Sequence, residues 1–409
     1  MMSNPNMKKV LTTLLGILLV SSCGQPAPTQ VQFATSATAF PPEQAFPTSQ
    51  PSAVLSTESV SPTPTSQSFM LPGGRILLAA IANSEVRNTD PYFPWFDQYF
   101  WVQLPAMTIE TDPYLTGDYP VRDQVVTLSP DLKQLVFGHE TYTQSGDNLY
   151  AGVSVSVLLA SPNNKEVTPI GQSFSGDAVN HKLARGDGIS WSANSQVFAF
   201  ARALDWGNYE KEHYLYIYEV VSGKFTTLTI PTSHPSSFAL SPEGTQIAFT
   251  SFGENPGLSL INVNGSSSQL IVEGWLTSNL AWHPDGKRLF FTRDQPELGI
   301  YSVDVSTGAI ASITATSDQA GLLNLSPDGS LLSYEDSGIN VVSVNGGDPL
   351  RLTRGIGTYE WAWSPDSQYI AYISTVAESI FVMDRLGNGK VSVYHQDKLS
   401  PTRLIDWLP

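Results

Sequence analysis

A single cysteine, Cys23, is the whole of the thiol chemistry in this 409-residue chain. With no second cysteine an internal disulfide is excluded, so the folded part must be held by packing and strand pairing. Positive charge is also scarce: 21 Lys and Arg against 37 Asp and Glu give a formal net charge of -16. So few cations do little to neutralise a phosphate backbone, which argues against nucleic acid as a partner. Long helical periodicities are missing, while 31 Gly, 29 Pro and 11% aromatics are present. That combination selects an all-β chain. The six histidines, at 139, 181, 213, 234, 283 and 395, have no metal-ligand spacing, and no calcium loop of alternating Asp is written. Neither a metal nor a cofactor is expected. Segment 171-GQSFSG-176 is out of register with a nucleophile elbow, so no catalytic residue is assigned.

What is there begins at the N-terminus. Lys8 and Lys9 precede the apolar run 10-VLTTLLGILLV-20, and small residues Ser21 and Ser22 follow it. This order reads as a signal peptide over residues 1–22. The run is short for a membrane span, which disfavours a transmembrane helix with an incidental thiol. Val20-Ser21-Ser22-Cys23 resembles the bacterial lipobox. The resemblance implies cleavage before Cys23 and lipid attachment to its sulfur, which would tether the chain to the outer face of a membrane. Residues 23–72 are almost wholly Pro, Thr, Ser, Ala and Gln, as in 60-VSPTPTSQS-68. Such a composition buries too little apolar area to offset ordering entropy, and reads as a stalk.

From residue 73 to 409 one hairpin is written six times: 127-TLSPDLKQLVFG-138, 190-SWSANSQVFAFA-201, 239-ALSPEGTQIAFT-250, 281-AWHPDGKRLFFT-292, 324-NLSPDGSLLSYE-335 and 362-AWSPDSQYIAYI-373. The turn positions 130, 193, 242, 284, 327 and 365 are spaced 63, 49, 42, 43 and 38 residues apart. Periods near 40 with several strands per unit indicate propeller blades. Pro presets the first turn torsion, Asp accepts local N–H groups, and Gly takes the left-handed position that closes a bulged hairpin. The recurring Asp131, Asp285, Asp328 and Asp366 are thereby read as turn formers rather than a ring of catalytic acids. Where Leu132, Ser195 and Ser367 replace that Gly, the turn is expected to be strained or differently built. A third strand, as in 214-YLYIYEVV-221, and a short fourth, as in 224-KFTTLTI-230, complete each unit.

Ser-Pro-Asp-Gly, an alternating strand, an Ile-Tyr-Val-like strand and a Leu-Thr ending together resemble the TolB-type, or WD40-like, β-propeller repeat. The resemblance implies interaction work in the cell envelope. The end 404-LIDWLP-409 aligns with 361-WAWSP-365, while 74-GRILLAAI-81 looks like a second strand without a first. The expected fold is therefore a seven-bladed β-propeller whose closing blade is composite, shared by the N- and C-terminal ends. A six-bladed ring is the runner-up.

Function is expected on the rim opposite the Ser-Pro-Asp turns. There 84-SEVRNTDPYFPWFDQ-98, 203-ALDWGNYEKEHY-214 and 140-ETYTQSGDN-148 read as loops of three neighbouring blades. They bring Tyr92, Phe93, Trp95, Phe96, Tyr142, Trp206 and Tyr209 to one sector, as partner-binding candidates. Aromatics among Asp90, Asp97, Asp205 and Glu210 suit a protein or sugar surface better than phosphate. The competing reading packs these rings back over the blades. The long connection 161–188 is read as a loop that crowns the same rim, with Asp177, His181, Arg185 and Asp187 near the channel mouth or simply solvated. Two functions stay open: a monomeric, lipid-anchored scaffold for an envelope protein, and a surface module that binds or cleaves a cell-surface carbohydrate polymer.

Overall fold

The computed structural model describes residues 70–80, 98–111, 126–145, 148–160, 167–176, 188–201, 213–230, 234–252, 256–274, 276–294, 297–317, 320–354, 360–374, 377, 379–395 and 403–409. The signal peptide, Cys23 and nearly all of the stalk sequence fall outside them. All described residues belong to one compact unit, 67–409.

Among them are twenty-eight strands, β1–β28, in seven antiparallel four-stranded sheets. Blade 1 is β4 (Val126–Leu128), β5 (Leu135–Ser145), β6 (Asn148–Ala160) and β7 (Val167–Gly176), in that order from the axis outward. Blades 2 to 6 follow over 189–230, 234–273, 276–315, 321–351 and 361–395. Blade 7 is composite. Its innermost strand is β28 (Arg403–Leu408), and β1 (Gly74–Ala80), β2 (Gln98–Leu104) and β3 (Thr108–Thr111) continue outward. Along the seam Arg75 is paired with Leu408, Ile76 with Trp407 and Leu77 with Asp406, and a bulge precedes the pairing of Leu78 with Leu404.

Each strand alternates apolar side chains to its two faces, and seven apolar clusters result, one between each pair of neighbouring blades. Leu77, Trp101 and Leu408 of blade 7 meet Leu128, Leu135 and Phe137 of blade 1. Val136, Val157 and Ile170 of blade 1 meet Phe198 and Phe200 of blade 2. Corresponding clusters join blades 2 to 3, 3 to 4, 4 to 5 and 5 to 6. The circle closes where Ile373, Ile380 and Val382 of blade 6 pack on Ile76, Leu404 and Trp407 of blade 7. The molecule is a seven-bladed β-propeller, and the six-bladed alternative is set aside by this seventh interface.

Two sequence expectations need correction. Residues 140–148 are not a loop, because β5 runs to Ser145 and β6 begins at Asn148. Nor is 161–188 one long connection, since 167–176 form β7. The widest repeat spacing comes instead from tall strands: β5 and β6 have 11 and 13 residues, where β9 (Val197–Ala201) and β10 (His213–Glu219) of blade 2 have 5 and 7. Ser, Thr and Gly in 140-ETYTQSGDN-148 resemble turn chemistry, yet extended pairing with β6 and β7 satisfies their backbone.

Candidate functional site

The strands run alternately up and down, so the turns between first and second strands lie at one end of the ring. These Ser-Pro-Asp turns share one geometry. The N–H of Leu132, Ser195, Gly244, Gly286, Gly329 and Ser367 each donates three residues back, at 2.8–2.9 Å. Leu132, Ser195 and Ser367 hold φ near +60° just as the glycines do, at 64°, 60° and 61°. Of the two expectations for these turns, the strained one holds and the differently built one does not. A compensation is visible at two of them: Asp131 N–H donates to Ser195 Oγ (2.9 Å) and Asp328 N–H to Ser367 Oγ (3.0 Å), each from the preceding blade's turn. Leu132 instead packs on the cluster containing Leu408.

The turn carboxylates are occupied by the turns themselves. Asp131 Oδ1 accepts from Ser129 Oγ at 2.7 Å and Lys133 N–H at 3.2 Å, and Asp328 repeats this with Ser326 Oγ at 2.7 Å and Ser330 N–H at 2.9 Å. Partial burial opposes ionisation at both, but these donors outweigh it and hold the carboxyls below their usual range. They are acceptors in hairpins, spread around a rim, and do not form an acid–base pair.

The channel is lined by the innermost strands, and one register position recurs in all seven: Thr127, Ser190, Ala239, Ala281, Asn324, Ala362 and Asp406, every one half-buried. The free edge of these strands, on the channel side, is partly met from the neighbouring blades. Ser190 Oγ accepts from Leu240 N–H (2.9 Å), and Trp282 Nε1 donates to Ala239 O (3.0 Å). Trp361 and Trp363 both donate to Ser333 Oγ, at 2.7 and 2.9 Å. Asp406 is the only charged member of the ring. Burial pushes its carboxyl up to about 6, although Trp407 N–H donates to Oδ1 at 2.8 Å. No sequence expectation falls on Asp406, although the alignment of 404–409 with 361–365 holds the signal, a carboxylate where the other blades carry Thr, Ser, Ala or Asn.

At the opposite rim, β5 and β6 each have six more residues than the described strands β9 and β10, about 20 Å of extended chain. Tyr142 lies on this extension, in register with Val153. Tyr92, Phe93, Trp95, Phe96, Trp206 and Tyr209 fall outside the described residues, as do Asp177, His181, Arg185 and Asp187. The strand ends that flank those aromatic segments, Ala80 and Gln98 in blade 7 and Ala201 and His213 in blade 2, adjoin blade 1 on either side. Between blades 4 and 5 on this rim, Ser317 donates through N–H and hydroxyl to Asp336, and Asn340 Nδ2 donates to Asp336 O and Gly338 O at 2.9 Å. That loop satisfies itself.

Among the described residues a serine–histidine contact is present. Ser379 Oγ lies 2.8 Å from His395 Nδ1, but the same hydroxyl is placed to donate to Ala377 O at 2.9 Å and the side chain is buried. A buried hydroxyl pinned to a backbone carbonyl is poorly placed for nucleophilic attack. Among the described residues no group of three His, Cys, Asp or Glu side chains is arranged to hold a metal ion.

No protein-family model and no curated protein sequence matches the chain. Solved structures do. TolB from Acinetobacter baumannii aligns at 14% identity over 82% of this chain and 67% of that one, with a TM-score of 0.44. A putative TolB from Agrobacterium tumefaciens aligns at 18% identity over 60% and 90%, with a TM-score of 0.41. An oligogalacturonate lyase in complex with manganese aligns at 15% identity over 63% and 86%, also at 0.41. These are similarities at low identity, and the seven-bladed fold stands on the strand order of β1–β28 itself.

Proposed function

We propose that this protein is an extracytoplasmic lipoprotein, anchored through Cys23, whose propeller binds a partner protein of the cell envelope as a single chain. The observation that carries the binding reading is the height of blade 1. Its raised β5–β7 wall stands on the rim between the two strand pairs that flank the aromatic segments 84–98 and 203–214. Paired strands standing near the ends of two sequence segments rich in Trp, Tyr and Phe support this reading, since protein interfaces favour aromatic anchors on a preorganised surface. The anchor rests on Lys8, Lys9, the apolar run and the Val20-Ser21-Ser22-Cys23 sequence.

Replacing Trp95 and Trp206 together by Ala tests the reading. Loss of partner proteins that co-purify with the wild-type chain from intact cells supports it. Loss of retention on envelope polysaccharide with protein capture intact overturns it in favour of a glycan surface. No change in either assay overturns the aromatic sector. For the anchor, Cys23→Ser is expected to release the protein from the membrane fraction, and a variant that stayed with the membrane would refute the lipid attachment.

A further inference from the structure

Of the seven blades, six hold their innermost strand by the continuing chain. Only blade 7 holds it by pairing alone, because β28 joins β1 from the far end of the sequence. That one strand also carries the one charge in the channel ring. Its register partner is Leu77, and the cluster beside it is Leu77, Leu408 and Leu128. A second polar defect sits next to it. Trp407 Nε1 is buried with no hydrogen-bond partner, as is Trp191 Nε1 at the equivalent position of blade 2, whereas the indoles of Trp282, Trp361 and Trp363 all have one. Unsatisfied buried groups weaken the interface that contains them.

We propose that β28 is a proton-controlled latch: protonation of Asp406 tightens closure of the ring, and ionisation loosens the closing strand first.

Among the described residues no ion pair is made to Asp406. On β1 the nearest is Arg75, whose guanidinium lies over the Trp101 ring, 4.6 Å from its centroid. β4 has no charged residue. Neither does β24 (Trp361–Trp363), although Glu360 just before it accepts Leu404 N–H at 2.7 Å. β25 (Tyr369–Ser374) contributes only the phenols of Tyr369 and Tyr372, the latter beneath the Lys390 ammonium. On β28 itself the other charged residue is Arg403, whose side chain is not described. A carboxylate in such a place is favoured when neutral.

The sign follows from linkage. The carboxyl is at about 6 when closed and starts from an ordinary 3.8, so the closed form binds more protons between those values. Closure is then strongest below pH 4, weakens as pH rises through 6 and levels off above it.

Amide hydrogen exchange of the full chain reads this directly. Exchange in β28 and β1 is compared between wild type and the near-isosteric Asp406→Asn at each pH, which cancels the intrinsic pH dependence of exchange. The wild-type to variant rate ratio is expected to rise about tenfold to a hundredfold from pH 4.5 to pH 7.5 in β28 and β1, and to stay flat in β25. A flat ratio in β28 overturns the latch, as does an equal rise in every blade. A second readout guards against a variant that merely refolds differently. In the wild type alone, an Asp406 carboxyl that titrates near 4 would also overturn it.

Discussion

Asp131 N–H donates to the hydroxyl of Ser195 across a blade boundary, at 2.9 Å, and Ser195 holds φ at 60° to receive it. Asp328 and Ser367 repeat the relationship between blades 5 and 6. At these two turns the serine that replaces Gly is therefore the residue that ties them to the turn before, while Leu132 makes no such bond. Ser195→Ala keeps the strained torsion and loses the acceptor, so a loss of about 1–2 kcal/mol is expected in denaturant unfolding. Ser195→Gly relieves the torsion while losing the same bond, and should fall nearer to wild type. Equal losses for the two would contradict this account.

The fold was legible in the sequence because the turn chemistry is local. The turn positions 130, 193, 242, 284, 327 and 365 mark six hairpins, and each is a hairpin in the structure. The composite blade was legible too, since 404-LIDWLP-409 repeats 361-WAWSP-365 and β28 indeed supplies the strand that β1 lacks. The height of blade 1 was not. Polar residues in 140–148 carry the same composition in a turn and in a solvent-facing strand, and only pairing across to 148–160 and 167–176 distinguishes the two. Asp406 was passed over for a different reason: its meaning comes from six register-equivalent residues on other blades, not from its neighbours in sequence.

Ser333 is buried and accepts from two indoles, Trp361 and Trp363, while its own hydroxyl donates to Asn324 O at 3.1 Å. Ser333→Ala strands both indole donors between blades 5 and 6. The expected loss is about 2–4 kcal/mol, and Ser333→Thr, which keeps the oxygen, should recover part of it. Urea midpoints for the pair check this.

Gly74 holds φ at 110°, and a Cβ there would run into the Leu408 carbonyl oxygen and Trp407 Nε1. Gly74→Ala should thus strike the seam itself and lower stability by about 2–4 kcal/mol. Gly73→Ala is the control one residue away, where a Cβ meets nothing within 4 Å. Thermal unfolding that ranks the two alike would count against the described closure.

The turn carboxyls of Asp131 and Asp328 lie below their usual range: burial opposes this, and their hydrogen-bond donors outweigh it. Their contribution is present above the ordinary carboxyl value and fades as pH falls through the depressed one. Asn stands at the same place in the turn of blade 2, where Asn194 Oδ1 accepts from Ser192 Oγ at 2.7 Å. The double variant Asp131→Asn/Asp328→Asn is expected to fold, and to lose less stability than wild type between pH 5 and pH 2.

Closure of the ring by β28 on β1 carries both the grouping of blades 7, 1 and 2 and the latch. Its most direct test is a distance between spin labels at Gly73→Cys and Pro409→Cys, both exposed sites, in a Cys23→Ser background. One narrow distance of about 10–20 Å, a few strand spacings plus the label arms, is the predicted result. A broad distribution beyond about 30 Å, as for free chain ends, would contradict it.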